Sequence, residues 1–232
     1  LHGGRNTGDW NRWALDRLRG YTFGLRQTAC RPIEEILMEF GEHGIKILTS
    51  MIVGFDYQTE DVVAEELDNL MKVKPSLAQF MIYGPVPGTP FYERVIKENL
   101  LHDVYIKDPD LFYRRADGFT TMIKHPTLSP EQVEKIQDWC FKEDFQRLGP
   151  SIIRILETRL PGYQEFKDSL NPFLPEKAKY YARELWGAYP VFLAANLLGP
   201  NAKFRSSTRN LQQRIHADIG YPTMAERFKS VL

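Results

Sequence analysis

The stretch that decides the fold reads Gly44-Ile-Lys-Ile-Leu-Thr-Ser-Met-Ile-Val-Gly-Phe-Asp-Tyr-Gln-Thr-Glu60. Residues 45–53 are mostly apolar and rich in β-branched side chains, a composition typical of a strand that is buried on both faces. Gly54 ends this strand. Thr59, followed by Glu60, predicts the cap and first turn of a helix. The stretch therefore indicates one strand–loop–helix unit of a parallel sheet.

The same alternation continues on both sides of this stretch. The spacing of apolar residues predicts a helix from Pro32 to Phe40, a second helix after Thr59, a short strand at 77–83 and a third helix at 91–99. The order α-β-α-β-α over residues 32–100 predicts two adjacent, parallel strands. A (β/α)₈ barrel needs about 250 residues, so either the chain is part of a larger barrel or its C-terminal half hides further strands.

The pattern changes character after residue 101. Residues 103–126 lack a regular pattern, and Ser129-Pro-Glu-Gln132 predicts the start of a helix that reaches about Leu148. Further helices are predicted at 152–160, 175–186 and 204–219. The sequence thus divides into a poorly specified leader at 1–30, an α/β segment at 31–101, which the resemblance described below implies to be a partial barrel segment, and a helical C-terminal region at 102–232. The fold class is α/β followed by all-α.

Composition excludes several classes of protein. The 30 basic and 30 acidic residues of this 232-residue chain cancel, which argues against a general nucleic-acid binder. Cys30 and Cys140 are too few for a disulfide framework, and the five histidines never stand at metal-ligand spacing, so no metal ligands are predicted. No run approaches the roughly 18 apolar residues of a membrane span. We therefore expect a cytoplasmic protein without a transmembrane segment.

Two motifs in this chain resemble radical S-adenosylmethionine (SAM) enzymes. Residues 44–60 resemble their fifth-strand region, which often reads Gly-Ile, an apolar strand and then Gly-Phe-Pro-Gly-Glu-Thr. The later stretch Phe80-Met-Ile-Tyr-Gly-Pro-Val-Pro-Gly-Thr-Pro-Phe-Tyr92 resembles their sixth strand and its Pro-Gly-Thr-Pro loop. The likeness is closest to the branch that commonly carries an N-terminal cobalamin-binding domain, and residues 125–131 and 148–154 resemble the helical tail of that branch.

The resemblance implies the C-terminal part of a radical SAM-type (β/α) barrel. The complete enzyme would use a reduced 4Fe–4S cluster to cleave SAM into methionine and a 5′-deoxyadenosyl radical, with cobalamin-dependent methyl transfer as an open further step. Its partners would be the N-terminal part of the barrel, a cobalamin-type domain and a small-molecule or lipid substrate. By the same resemblance, Ile52, Val53 and Gly54 would lie along the adenine, and Tyr83, Pro85 and Gly88 would form the pocket wall. These residues would act through shape and backbone hydrogen bonds.

The chain departs from the family at the cluster site. The motif Cys-x-x-x-Cys-x-x-Cys is absent and belongs upstream of residue 31, so we expect the chain alone to bind no cluster and to be catalytically incompetent. In the first loop, Asp56-Tyr57-Gln58 replaces the usual Pro-Gly-Glu. Two alternatives remain. The chain could be a non-catalytic remnant or interaction module that binds a protein or lipid surface, or an ordinary barrel enzyme that holds a phosphate in the Gly54 loop.

A missing barrel would leave the first strand without a neighbour on one side. We then expect Ile45, Ile47, Met51 and Val53 to face water or another chain. An unpaired apolar strand is a template for association, so the sequence predicts an aggregation-prone or oligomeric chain.

Overall fold

The computed structural model describes residues 32–221, so the leader at 1–30 lies outside the described part. The elements follow in the order α1 (Ile33–Glu42), β1 (Leu48–Val53), α2 (Glu60–Lys72), β2 (Leu77–Ile82), α3 (Pro90–Lys97), α4 (Asp103–Lys107), α5 (Pro109–Arg115), α6 (Pro130–Leu148), α7 (Ser151–Phe166), α8 (Phe173–Gly187), α9 (Tyr189–Leu198) and α10 (Ala202–Ile219). The two strands pair in parallel, in register from Leu48 opposite Leu77 to Val53 opposite Ile82. The predicted α-β-α-β-α order and the parallel pairing are confirmed.

Local capping explains where the helices beside the sheet begin. The Thr59 hydroxyl accepts a hydrogen bond from the Val62 amide at the start of α2. At the start of α6, the side chains of Ser129 and Gln132 each bond the other residue's backbone amide, which satisfies two otherwise free donors. Both caps confirm the helix starts that the sequence predicts.

Within residues 32–221, helices cover the sheet on one face only. Met51, Val53, Phe80 and Ile82 are buried there in a core that α2 and α6 complete, with Val63, Leu67, Met71, Val133, Ile136 and Cys140. On the opposite face, Leu48 is 61% exposed and Ile52 is 40% exposed. The prediction of a strand buried on both faces is therefore wrong.

The expectation for the open face is also wrong in part. Met51 and Val53, which were expected to face water, are buried under α6. Ile45 is exposed and Ile47 is half-buried. The open face consists of the alternate residues of the two strands, because successive side chains of a strand point to opposite faces. Its members are Leu48, Ser50, Ile52, Leu77, Gln79 and the half-buried Met81.

Helices α7 to α10 form a second core, and α3 and α5 pack in a separate one with Val95, Leu101 and Phe112. Residues of α7 to α10 are buried together, among them Ile153, Leu156, Leu160, Leu185, Phe192, Leu211 and Ile215. The three helices predicted at 152–160, 175–186 and 204–219 are confirmed with longer bounds. Helix α9 was not predicted as a helix, and α7 continues through Pro161. The stretch 103–126, expected to be irregular, contains the short helices α4 and α5.

Gly44 is the point where the end of α1 meets the helical core. A Cβ atom on Gly44 would lie 2.8 Å from the Cα of Gly162 in α7, so the two backbones approach as closely as glycine allows. The Gly44 carbonyl accepts hydrogen bonds from Arg159 Nη1 at 2.8 Å and from the Tyr181 hydroxyl at 3.2 Å. Side chains of α7 and α8 thus hold the turn that leads into β1.

Within residues 32–221, no helix combines the length and the apolar character that crossing a membrane requires.

Candidate functional site

Two loops lie side by side at the carboxyl ends of the strands. Residues 54–59 follow β1 and residues 83–89 follow β2. The Tyr83 amide donates to the Val53 carbonyl at 2.7 Å, so the strand pairing continues one step into the second loop. Parallel α/β sheets bind their ligands at this edge, because the loops and the N-termini of the following helices converge there.

The structure places the six predicted contact residues in different environments. Ile52 points to the open face of the sheet, whereas the Val53 side chain is buried in the core. Gly54 and Pro85 are buried, Tyr83 is half-buried and Gly88 is exposed. The pairing of the strands brings residues 52–54 and Tyr83 together.

Gly88 does not join this group. It has a φ of +84° and no atom lies within 4 Å of the Cβ it would carry. It stands in a turn in which the Thr89 hydroxyl donates to the Val86 carbonyl at 2.7 Å. The same hydroxyl accepts from the Tyr92 amide at 3.2 Å and caps α3. The Pro-Gly-Thr-Pro sequence therefore forms a turn and a helix cap in this chain.

Gly54 has a local reason to be glycine. Its φ is +94°, a conformation that strains any residue with a Cβ atom. A Cβ built on it would lie 3.2 Å from Cγ1 of Val133 in α6. The missing side chain thus lets the loop pass closely beside α6.

Gln58 organises the first loop from within. Its side-chain oxygen accepts from the Gly54 amide at 2.7 Å and from the Phe55 amide at 3.0 Å. Its side-chain nitrogen donates to the Ile52 carbonyl at 3.0 Å and to Glu66 Oε2 at 2.6 Å. The residue is only 1% exposed. One amide therefore satisfies backbone groups on both sides of Val53.

Glu66 of α2 is the acid that this network contains. It accepts from Gln58 and, at 3.1 Å, from the Tyr57 hydroxyl. Burial raises the pKa of Glu66, and the two hydrogen bonds partly offset that effect. Burial and the neighbouring Glu66 carboxylate raise the pKa of Tyr57. Both groups serve as fixed hydrogen-bonding partners of the loop.

Aromatic rings join the two loops. The rings of Phe55 and Tyr83 lie 4.3 Å apart between centroids, and Tyr83 stacks on Phe91 of α3 at 4.1 Å. The Arg94 guanidinium lies over Phe91 and 3.9 Å from the Asp56 carboxylate. Burial raises the pKa of the Tyr83 phenol, and Arg94 partly offsets it. These aromatic contacts join both loops to α3.

His125 fixes the first loop from a distant part of the chain. Its Nδ1 accepts from the amides of Thr127 at 3.2 Å and Leu128 at 3.0 Å. With Nδ1 accepting, Nε2 carries the hydrogen and donates to the Phe55 carbonyl at 2.8 Å. The segment before α6 therefore supports the loop that follows β1.

The residues present fit some of the groups that the resemblance implies and not others. Ile52 offers an apolar contact to a flat ring on the open face. The Ile52 carbonyl, the Val53 carbonyl and the Gly54 amide already have partners within the chain. Cys140, a free cysteine, is fully buried in the core, and burial raises the pKa of its thiol to about 12. It does not fit the role of a cluster ligand.

Sequence reasoning missed Gln58, Glu66 and His125 as organisers of the loop. Only Gln58 carries a signal in the sequence, as a polar residue just ahead of a helix cap, while the other two act through contacts across the fold.

Among the described residues, no three His, Cys, Asp or Glu side chains come together in a group that could hold a metal ion.

No family model, no curated protein and no solved structure matches this chain.

Proposed function

We propose that this chain is the C-terminal part of a radical SAM enzyme. One observation carries the proposal: the two strands whose sequences resemble the fifth and sixth strands of that family are parallel neighbours with one open face. Their following loops lie side by side at the carboxyl edge. This arrangement is the one that a segment of a (β/α) barrel requires.

The open face supports the barrel interpretation. In a barrel, helices cover the outer face of each strand and the inner face points to the interior, where other strands contribute side chains. Here α2 and α6 cover the outer face, and Leu48 and Ile52 are exposed on the other. Further strands of a complete barrel would bury these side chains.

The proposal assigns limited roles to residues of this chain. Ile52 contacts the adenine of SAM, Tyr83 and Pro85 form the adjoining wall, and Gln58 holds the loop in shape. The cluster and SAM supply the radical chemistry. The cluster ligands, the rest of the barrel and a cobalamin-type domain lie upstream, and the substrate is a small molecule or a lipid.

The test uses the complete protein, encoded together with the region upstream of residue 1. After anaerobic reconstitution and reduction, we expect it to convert SAM to 5′-deoxyadenosine. Ile52→Ala should weaken SAM binding by about tenfold, since it removes most of the apolar surface that the ring contacts. Leu48→Ala is the matched control, because it shortens a side chain of the same face at the opposite end of β1 and buries no charge in the complete barrel. It should leave SAM affinity within about threefold.

Three results would contradict the proposal. The first is an upstream sequence without three cysteines at the family spacing, and the second is a reduced complete protein that yields no 5′-deoxyadenosine. The third is a stoichiometric cluster on the 232-residue chain alone, detected by its sulfur-to-iron absorbance. Either of the first two results would favour the non-catalytic interaction module, and the third would show that the cluster ligands do not lie upstream.

A further inference from the structure

Helix α9 carries an exposed face made of aliphatic side chains. Leu193, Leu197 and Leu198 are 63%, 71% and 80% exposed. At 100° per residue, these leucines and Ala194 share one side of the helix. The opposite side is buried, with Phe192 and Ala195 in the core that α7 to α10 form. The buried side of α9 therefore fixes the helix against the core, and its leucines are exposed on the other side.

The chain segment that contains this face carries an excess of positive charge. Between Glu184 and Asp218 the sequence contains no acidic residue and four basic residues, which are Lys203, Arg205, Arg209 and Arg214. The Arg205 guanidinium donates to the Gly199 carbonyl at 2.8 Å. This bond places a positive charge at the end of α9, directly after Leu198. Arg209 is exposed one turn further along the same side of α10.

We infer that this surface, the exposed leucines of α9 with Arg205 and Arg209 of α10, binds an anionic lipid bilayer. Apolar side chains beside cations are the pattern by which helices lie in the interface of such membranes. The 10 residues of α9 extend about 15 Å, roughly half of a hydrocarbon core, so the helix lies on the membrane.

The chemistry of the face favours lipid over a protein partner. Fully buried centres of protein interfaces are enriched in aromatic and polar anchors as well as aliphatic groups. The exposed residues of α9 are three leucines and one alanine. Two leucines one turn apart can enter the acyl region together, while the cations meet the headgroups. The inference goes beyond the radical SAM proposal, because lipid binding needs neither cluster nor SAM.

The test is flotation of the full 232-residue chain with vesicles in a density gradient. Flotation separates bound protein, which rises with the lipid, from aggregates, which sink. We expect the chain to rise with vesicles of one-third phosphatidylserine and two-thirds phosphatidylcholine. It should rise much less with phosphatidylcholine alone or at high salt, where screening removes the contribution of the cations.

Two variants identify the contributing residues. Leu193→Ser with Leu197→Ser should lower the partition coefficient at least about tenfold, because each loses most of its insertable apolar surface. Arg209→Glu reverses one charge beside the leucines and should lower it roughly tenfold to thirtyfold on anionic vesicles and leave neutral vesicles unaffected. The matched control is Val104→Ser with Ile106→Ser, two exposed aliphatic residues on α4 flanked by Asp103 and Asp108. It should leave flotation unchanged.

The inference is overturned if the chain does not rise with anionic vesicles, or if the leucine variant rises as the unaltered chain does. It is also overturned if light scattering without lipid shows that the unaltered chain is a dimer and the leucine variant is a monomer. The face would then join two copies of the chain. Circular dichroism shows whether each variant is folded, and all the substituted side chains are exposed.

Discussion

At the scale of single residues, Gln58 shows why one buried amide can determine a loop. Its oxygen and its nitrogen face opposite requirements: two backbone amides need an acceptor, while the Ile52 carbonyl and Glu66 need a donor. A carboxylate could meet only the first requirement. An apolar side chain would meet neither and would leave buried polar groups unpaired.

Gln58→Glu should therefore destabilise the chain although its shape is the same. The new oxygen faces the Ile52 carbonyl and the Glu66 carboxylate, so we expect a loss of roughly 2–4 kcal/mol in the free energy of unfolding. Adding Glu66→Gln restores a donor and should recover part of that loss. Urea unfolding of the two single variants and the double variant at neutral pH measures the coupling. Strictly additive effects would show that the two side chains do not interact.

At the scale of elements, each strand has one buried face and one exposed face. Met51 and Val53 pack on α2 and α6, while Leu48 and Ile52 are open. The same strand therefore needs apolar residues on one face for stability, and on the other only when further strands cover it.

Lysine substitutions on β1 should separate these two roles. Leu48→Lys should raise the solubility of the chain and change its free energy of unfolding by no more than about 0.5 kcal/mol, because the site is exposed. Met51→Lys should cost about 3 kcal/mol or more, because it buries a charge without a partner. Light scattering and urea unfolding measure the two effects. If Leu48→Lys proved as destabilising as Met51→Lys, the open face would be covered in solution.

A second prediction concerns the contact between α1 and α7. His43 Nδ1 and Glu165 Oε2 lie 2.7 Å apart, and this hydrogen bond and the Glu165 charge raise the pKa of His43 above 6.5. A raised pKa means that the folded state binds the proton more tightly than the unfolded state. The resulting stability is fully present below pH 6.5 and is lost as the pH rises through the folded pKa.

His43→Gln should therefore destabilise the chain at acidic pH and much less at alkaline pH. Glu165→Gln removes the same interaction and should reproduce this pH dependence. Thermal unfolding of both variants across the pH range measures it. A stability difference that stays constant with pH would contradict the proposed ion pair.

At the scale of the whole molecule, buried polar contacts connect the sheet layer to the helical core. Arg154 of α7 bonds both oxygens of Asp144 in α6 at 2.7 Å and 2.8 Å, and both residues are buried. Arg159, also buried, bonds the Gly44 carbonyl and, at 2.5 Å, Glu184. The first pair fixes how α7 lies against α6, the helix that covers the sheet, and the Arg159 contacts join α7 to α8 and to the turn before β1.

Removing one partner of the Asp144–Arg154 ion pair should lower the free energy of unfolding more than removing both partners. Asp144→Ala leaves a buried guanidinium without its carboxylate, and we expect a loss of about 3–5 kcal/mol in the free energy of unfolding. Asp144→Leu together with Arg154→Leu removes both charges and should cost distinctly less. Urea unfolding compares them. An equal or greater loss in the double variant would show that packing around the pair matters more than its charges.

The elements were predictable where short-range patterns decide them. Helix α6 begins where its Ser-Pro-Glu-Gln sequence indicates, and β1 ends at Gly54, because caps and glycine conformations depend on neighbouring residues. Helix α7 ends later than predicted: Pro161 marks a boundary in the sequence, but burial of Gly162 and Phe166 carries the helix on. At the site, the loop positions could be predicted, but the contact from His125 could not, since it joins residues 70 positions apart.

The sequence by itself determined the order of helices and strands over residues 32–100, the parallel pairing and the two loops at the carboxyl edge. These features follow from periodicity and capping, which act over a few residues. Only the tertiary structure decided which face of β1 is buried. Both faces of this strand carry apolar residues, so the sequence pattern does not distinguish them, and the packing of α6 on one face does. It also decided that the Gln58 side chain accepts a hydrogen bond from the Gly54 amide and that the leucines of α9 are exposed. Both depend on which elements meet in space.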